Sequence, residues 1–520
     1  MPISHFAHGV ASGDPRPTSV VLWTRVTPTA ASRPGSGAGP IVTVRWQVSA
    51  SSSFTRVLRS GRFRTGPRRD HTVKLDVTGL KPGRTYYYRF LYKRQRSKVG
   101  RTRTAPATTS SPANLRLGVV SCANLQAGWF SAYRHLANRN DLHAVLHLGD
   151  YIYEYGPGQY GYGKDDRDIR RHEPAHEILS VSDYRRRHAQ YKRDPDLQRL
   201  HAKYPFIVTW DDHESANDAW KSGAENHSDS EGSWSARRAA AHKAYDEWMP
   251  ARMNDTARTG DGTRLYRRLQ FGDLAELSML DLRTYRDKQL AAQVDPDQGN
   301  PDRTITGREQ MDFLKTSLTR AVSQWKLVGN PVMIAPVTFA GLPRDLIKPV
   351  NDTVGLLPPD GVPYNIDQWD GYTDDRREVF EHLRDNGVTD TVFITGDIHS
   401  GWACDLPADK ATYASSRNSV AVEFVGTSVT SSNLKDITGT PARTTSIAVE
   451  EGLKANNPHI KYLNFDDHGF SVLDITAKRA QMDWYIIGDR ADKATGVKWT
   501  TSYASAAGSQ VIHPVDKPVS

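Results

Sequence analysis

Ala144-Val145-Leu146-His147-Leu148-Gly149-Asp150-Tyr151-Ile152-Tyr153 passes from a mostly apolar run through glycine straight into a carboxylate and two phenols. A short apolar run bounded by turn residues reads as a buried strand, so the metal-capable side chains begin where that strand ends. The pattern recurs three times. Leu115 to Ser121 leads into Cys122-Ala123-Asn124, Pro205 to Trp210 into Asp211-Asp212-His213-Glu214, and Thr391 to Gly396 into Asp397-Ile398-His399-Ser400-Gly401. In open α/β sheets, ligands bind beyond the carboxyl ends of the strands. Four loops far apart in sequence are therefore expected to converge on one site.

Working outward, Glu276 to Asp281, Trp325 to Asn330 and Ser419 to Val425 read as further strands. Helical stretches at Arg237 to Trp248, Arg308 to Ala321 and Asp374 to Asn386 fall between strands, which is α/β alternation. Before Thr104 the pattern differs. Ser19 to Arg25, Val42 to Ser49, Thr72 to Leu75 and Thr85 to Tyr92 are β-branched or aromatic strands with Gly/Pro punctuation, the pattern of a small all-β sandwich. Leu80-Lys81-Pro82-Gly83-Arg84-Thr85-Tyr86 resembles the tyrosine corner of immunoglobulin and fibronectin III modules, which makes Tyr86 structural. An Ala/Thr/Ser/Pro linker near Thr104 to Asn114 sets the expected boundary, with a sandwich over residues 1–107 and a catalytic domain over 108–520.

With 520 residues, 38% hydrophobic and 24% charged, the chain is long enough for an enzyme with a large core. No apolar run approaches the ~18 residues of a membrane span. Net charge +9 favours anionic substrates, although no polybasic tail stands out and no stable nucleic-acid complex is expected. Two cysteines are too few for a disulfide framework. The opening MPISHFAHGVASGDP lacks a charged segment followed by an apolar one, so the expectation is an extracytoplasmic protein whose export signal is already removed, and a monomer.

The ligand types narrow the metal. Cys122, Asp150, Tyr153 and His399 together suit an oxidised iron, because thiolate, phenolate and carboxylate stabilise a trivalent ion. Asp212, Asp397 and Asn217 offer only oxygen, which favours calcium, magnesium or manganese. Asp150 is placed to bridge. Two cations held together can bind a phosphate and activate water, and no G-x-S-x-G elbow, P-loop or HExxH proposes another mechanism. His213 is assigned to the phosphate or the leaving oxygen, with Asn124 as a second catalytic residue. Each residue alone has a plainer reading: Cys122 as a small buried hydrophobe, Tyr153 as a core aromatic, Asp150 as a cap, and the acidic run from Asp211 as a solvated loop. It is the fourfold repetition that outweighs these. Cys404 keeps the plain reading.

These motifs, with Phe6-Ala7-His8-Gly9-Val10-Ala11-Ser12-Gly13-Asp14-Pro15, Trp369-Asp370-Gly371-Tyr372 and Glu423-Phe424-Val425-Gly426-Thr427-Ser428, resemble the calcineurin-like metallophosphoesterases, and within them the D-type bacterial alkaline phosphatases. The resemblance implies a four-layer αββα catalytic domain behind an N-terminal sandwich, export in folded form, and iron(III) with calcium. Cys122 stands where related enzymes have Asp, and Asp397 where they have His, both typical of the D-type branch. That branch is also similar to a secreted iron-dependent phospholipase D, so release of head groups such as choline is the alternative to hydrolysis of phosphomonoesters and phosphodiesters. His459-Ile460-Lys461 with Asp466 mimics the motif of the metal-independent phospholipases D, but that chemistry needs two copies and the chain has one. A reading of another class is a surface binding protein with a dead second domain, against which the four intact loops argue.

Overall fold

The computed structural model describes residues 4–340 and 362–519. Its architecture is mixed α/β, with a ten-stranded and a seven-stranded sheet as the two largest. In the first, Leu115–Val120, Ala144–Leu148 and Pro205–Thr209 run parallel at the centre, each almost wholly buried. In the second, Ala275–Met279, Trp325–Asn330, Thr391–Thr395 and Ser419–Val425 are the parallel set. All seven strands expected of this region are present, with ends shifted by a residue or so. Buried parallel strands read as continuous apolar runs because both faces are covered.

The packing follows from which face each side chain takes. Leu117, Leu146, Leu148 and Ile207 of the first sheet share one apolar cluster with Leu277, Leu327, Ile394 and Phe424 of the second. Val120, Val145 and Phe206 instead meet Tyr133, Tyr184 and Tyr245, which come from the helices Ser131–Asn138, Val181–Tyr191 and Trp234–Trp248. Val328, Phe393 and Val425 meet Leu314 and Val379 from the helices Arg308–Arg320 and Thr373–Asp385.

The N-terminal strands are shared between two sheets. Val42–Ser49, Val57–Thr65, Thr85–Tyr92, Gln95–Arg96 and Gly100–Arg103 form a small sheet of their own. Val10–Gly13, Val20–Arg25 and Thr72–Val77 instead extend the ten-stranded sheet, Ser12 pairing parallel with Pro205 and Gly13 with Phe206. Tyr86 Oη accepts the Lys81 N–H at 2.8 Å, as a tyrosine corner should. The polar stretch after Ala491 supplies Val497–Ala506 and Ile512–Val515, the outermost strands of the large sheet. His459 is a buried core histidine bonded to the Pro336 carbonyl at 2.8 Å, which disposes of the phospholipase-like motif.

Candidate metal centre

Three of the four loops leave their strands by backbone that most side chains avoid. Gly149 has φ +107°, and a Cβ there would lie 2.5 Å from Asp211 Cβ, so only glycine lets these neighbouring loops approach. Cys122, Asp150, Asp397 and His399 all adopt φ between 54° and 63° without being glycine. Such conformations cost about 1–3 kcal/mol each and persist where the surroundings over-determine them. Those surroundings are visible: Cys122 N–H donates to the Gly149 carbonyl at 3.2 Å, Ala123 N–H to Asp150 at 3.0 Å, and both Thr430 N–H and Ser431 N–H to Cys122 at 3.2 Å.

Donor atoms of Cys122, Asp150 and His399 lie within 4.8 Å of one another, and so do those of Asp150, Asp212 and His213. Asp150 belongs to both groups. Its Oδ2 accepts the Tyr153 hydroxyl at 2.9 Å, while its Oδ1 is buried with no hydrogen-bond partner. An orphaned carboxylate oxygen inside a dry site costs free energy unless a proton or cation meets it. Burial first, then mutual repulsion, drives the Cys122, Asp150 and Tyr153 groups toward their protonated forms, and Asp397 likewise. A bound cation reverses that logic. For Asp212 burial opposes ionisation, but His213 and Arg283 outweigh it and hold the carboxyl below its ordinary range. Burial, aided by His213, pushes His399 down to about 4, while its Nδ1–H contact to the Ser432 carbonyl at 2.8 Å directs Nε2 elsewhere, as a neutral imidazole ligand requires.

A supporting shell holds these groups. Glu214 accepts N–H bonds from Asp150 at 3.1 Å, Tyr151 at 2.6 Å and Asp211 at 2.9 Å, tying two loops together. Glu154 accepts from His213 Nδ1 at 2.7 Å and from Asn217 N–H at 2.8 Å. Arg283, 3% exposed in its side chain, grips Asp211 at 2.6 and 3.0 Å and Asp367 at 2.9 Å, and stands 3.6 Å from Asp397. The helix Val181–Tyr191, opened by a Ser180/Asp183 capping box, sends Arg187 to the Tyr153 carbonyl. Tyr160 roofs the cluster, its ring 5.8 Å from Tyr153, 5.6 Å from His213 and 6.3 Å from His399.

Of the residues singled out from sequence, Cys122, Asp150, Asp212, His213 and His399 are brought together, and Tyr153 joins them through Asp150. Asp397 lies alongside, its carbonyl 3.7 Å from Cys122 Sγ. Asn124 is engaged elsewhere, its amide donating to the Tyr160 carbonyl at 2.5 Å and accepting from Gln126 N–H at 3.0 Å. Asn217 turns its amide to Glu225 at 3.1 Å. Both cysteines are buried and free, Cys404 within the apolar core. Sequence reasoning passed over Glu154, Glu214, Arg283, Asp367 and Tyr160. Glu214 lies inside a quoted motif and Glu154 directly follows another, and Arg283 follows a strand's carboxyl end, which was the available signal. Beside the centre lies a cavity of about 630 Å³ lined by Tyr162, Lys435, His468, Arg490 and Lys498. It meets the metal shell where Arg490 donates to Ser432 Oγ at 3.4 Å.

Comparison with known proteins gives a consistent result. Residues 117–484 match the PhoD-like phosphatase model and residues 2–106 its N-terminal domain. The alkaline phosphatase D of Bacillus subtilis (strain 168) is 35% identical over 489 residues, 93% of this chain and 77% of that protein. The solved structure of PhoD superposes with a TM-score of 0.86 at 32% identity, covering 100% of this chain and 94% of that one.

Proposed function

This chain belongs to the PhoD-like phosphatase family and is a phosphoric ester hydrolase, and on that premise we propose that hydrolysis takes place at an iron–calcium centre built on Asp150. Phospholipase D activity is not favoured, since the family model and the Bacillus subtilis relative are phosphatases. In this reading Cys122, Asp150, Tyr153 and His399 hold Fe(3+), and Asp150, Asp212 and Asp397, with Asn217 after its amide turns, hold Ca(2+). The thiolate and phenolate argue for ferric iron, and the oxygen-only set for a hard divalent ion. The observation that carries it is Asp150, common to two donor groups and left with an orphan Oδ1.

When bound, the metals supply Lewis acidity that activates water and offsets phosphate charge. The chain's own residues do the rest. His213, held by Glu154, is the proton donor to the departing ester oxygen, because Asp212 and Glu154 outweigh burial and favour its charged form. Asn124 acts by fixing the Tyr160 roof through its bond to the Tyr160 carbonyl. The adjacent cavity, lined by Lys435, Arg490 and Lys498 and equally by Asp436, Asp467 and Asp489, offers room for the rest of a phosphomonoester or phosphodiester. The same reading makes the parts of the two large sheets that fall within residues 108–520, with the helices packed outside them, the four-layer αββα catalytic domain, preceded by a sandwich over 1–107 in which Val20–Arg25 and Thr72–Val77 pack against the small sheet while extending the large one. It also includes export and a monomeric state. No helix among the described residues is long and apolar enough to cross a membrane.

Metal content by plasma mass spectrometry on protein purified without chelators tests the assignment. Iron and calcium near one and at least one per chain, with iron lost in Cys122→Ser, is the expected result. Zinc alone, or iron retained in the variant, would overturn the ligand set.

A further inference from the structure

The chain's basic balance does not sit at the metal centre. Residues 41–106 hold seventeen Lys and Arg against Asp70 and Asp76, a net +15, so the remaining residues of a +9 chain sum to −6. An excess spread for solubility would mix signs over the surface. Here eight of the seventeen, Arg45, Arg59, Arg62, Arg64, Arg89, Arg96, Arg101 and Arg103, lie on the strands of one sheet. The strands Val42–Ser49, Val57–Thr65, Thr85–Tyr92, Gln95–Arg96 and Gly100–Arg103 contain no Asp or Glu.

Alternation fixes which face carries the charge. Val44, Val48, Tyr88 and Phe90 are buried against Val20, Leu22 and Val73, so the intervening residues point outward. Pairing sets Arg45 directly opposite Arg62, Thr43 opposite Arg64, Gln47 opposite Arg89 and Leu91 opposite Arg96. Arg45, Arg62, Arg64 and Arg96 are exposed. Arg89 is anchored by Gln47 at 2.8 Å and by the Phe54 ring at 4.0 Å. Like charges directly opposite across a strand pair destabilise a sheet, and nothing within this sheet offsets the Arg45/Arg62 pair.

We propose that this outer face is a docking surface for an extended, phosphate-bearing polyanion. Guanidiniums two residues apart on a strand are spaced by ~6.7 Å and those on adjacent strands by ~4.8 Å, and each planar fork takes a phosphate in bidentate fashion. The face presents its arginines as a repeating array along and across the strands, so it grips repeating charge rather than one small molecule. Of its apolar members Tyr87 and Leu91 are half-buried and Val57 alone, at the end of the Tyr87–Ser49–Val57 row, is exposed; one small aliphatic group among arginines favours a polymer over a lipid bilayer. The surface would hold the catalytic domain near a polymer bearing its substrate esters.

The test is fluorescence anisotropy of labelled long-chain inorganic polyphosphate with the metal-loaded protein, with saturating inorganic phosphate present to occupy the metal centre. The wild type should bind with strong salt dependence. The triple variant R45Q/R62Q/R64Q should bind about tenfold or more weakly at low salt, and its log–log salt slope should fall by about 2, three contacts at ~0.7 each. Its unchanged hydrolysis of a small phosphomonoester would certify folding. Equal binding by variant and wild type overturns the proposal. So does a wild type that ignores polyphosphate but binds phosphatidylglycerol vesicles, which would make the face a membrane contact.

Discussion

Removing the Glu214 carboxylate should loosen the metal centre without touching a proposed ligand. Its two oxygens accept the N–H groups of Asp150, Tyr151 and Asp211 at 2.6–3.1 Å, and the residue is 3% exposed. Glu214→Ala leaves three buried donors unpaired at about 1–3 kcal/mol each, so a loss of at least ~3 kcal/mol is expected, a large share of a typical total of about 5–15 kcal/mol. Asp150 is also held at φ 55°, and losing its anchor lets that strained residue relax away from Cys122 and His399. Metal affinity should fall by about 10–100-fold, the usual effect of removing a group that orients ligands. Burial pushes the Glu214 carboxyl up to about 8, while its three N–H bonds pull the other way. Glu214→Gln separates the two influences. If the anion is what binds the loops, the new amide NH₂ confronts an N–H donor and the glutamine variant behaves much like the alanine variant; if the native group is protonated, glutamine is nearly silent. Urea unfolding midpoints and chelator competition for iron read both variants. An alanine variant with wild-type midpoint and metal retention would refute the reasoning.

The four ligand loops were legible because each joins an apolar strand to a turn and then to metal-capable side chains, a local pattern that topology brings together. The strand Val57–Thr65 was not legible. Its arginines and Gly61 break the apolar alternation, and it exists because Val42–Ser49 supplies a partner along its length. Val10–Gly13 is four residues long and pairs with a strand almost two hundred residues further on. Arg283 and Asp367 meet only through tertiary packing, so no spacing in the sequence announces them. Asn124 and Asn217 show the opposite difficulty. They sit at motif positions, yet an amide bonds to whatever carbonyl or carboxylate lies nearest, here the Tyr160 carbonyl and Glu225. Glu423 lies in a motif that carried the resemblance, and its carboxylate takes the N–H groups of Ile334 at 3.0 Å and Ala335 at 2.8 Å, with burial raising it to about 7. Its role is to fix the loop after Trp325–Asn330.

Two further outcomes concern stability. Burial pushes His147, His188, His242 and His459 down to about 3 from an ordinary 6.5. The unfolded chain therefore binds more protons below pH 6.5, and stability should drop between pH 6.5 and 3 by up to about 1.4 kcal/mol per histidine per unit; urea midpoints unchanged from pH 7 to 5 would contradict this. The join between the N-terminal strands and the helix Trp234–Trp248 rests on a buried ion pair, Lys74 Nζ to Asp246 Oδ1 at 2.8 Å, with the same ammonium donating to the Asp246 carbonyl at 2.8 Å. Lys74→Met alone strands a buried carboxylate, at a cost of about 3–5 kcal/mol, whereas replacing both partners with apolar residues can be neutral or stabilising. The expected order by thermal unfolding is thus wild type close to K74M/D246L, with K74M well below both. Gly260 N–H also donates to Asp246 Oδ2 at 2.7 Å, so the double variant frees that one donor and should fall slightly short of full recovery. A K74M protein as stable as wild type would mean that water reaches Asp246 and that the join is held by the apolar contacts of Trp23 and Trp248 instead.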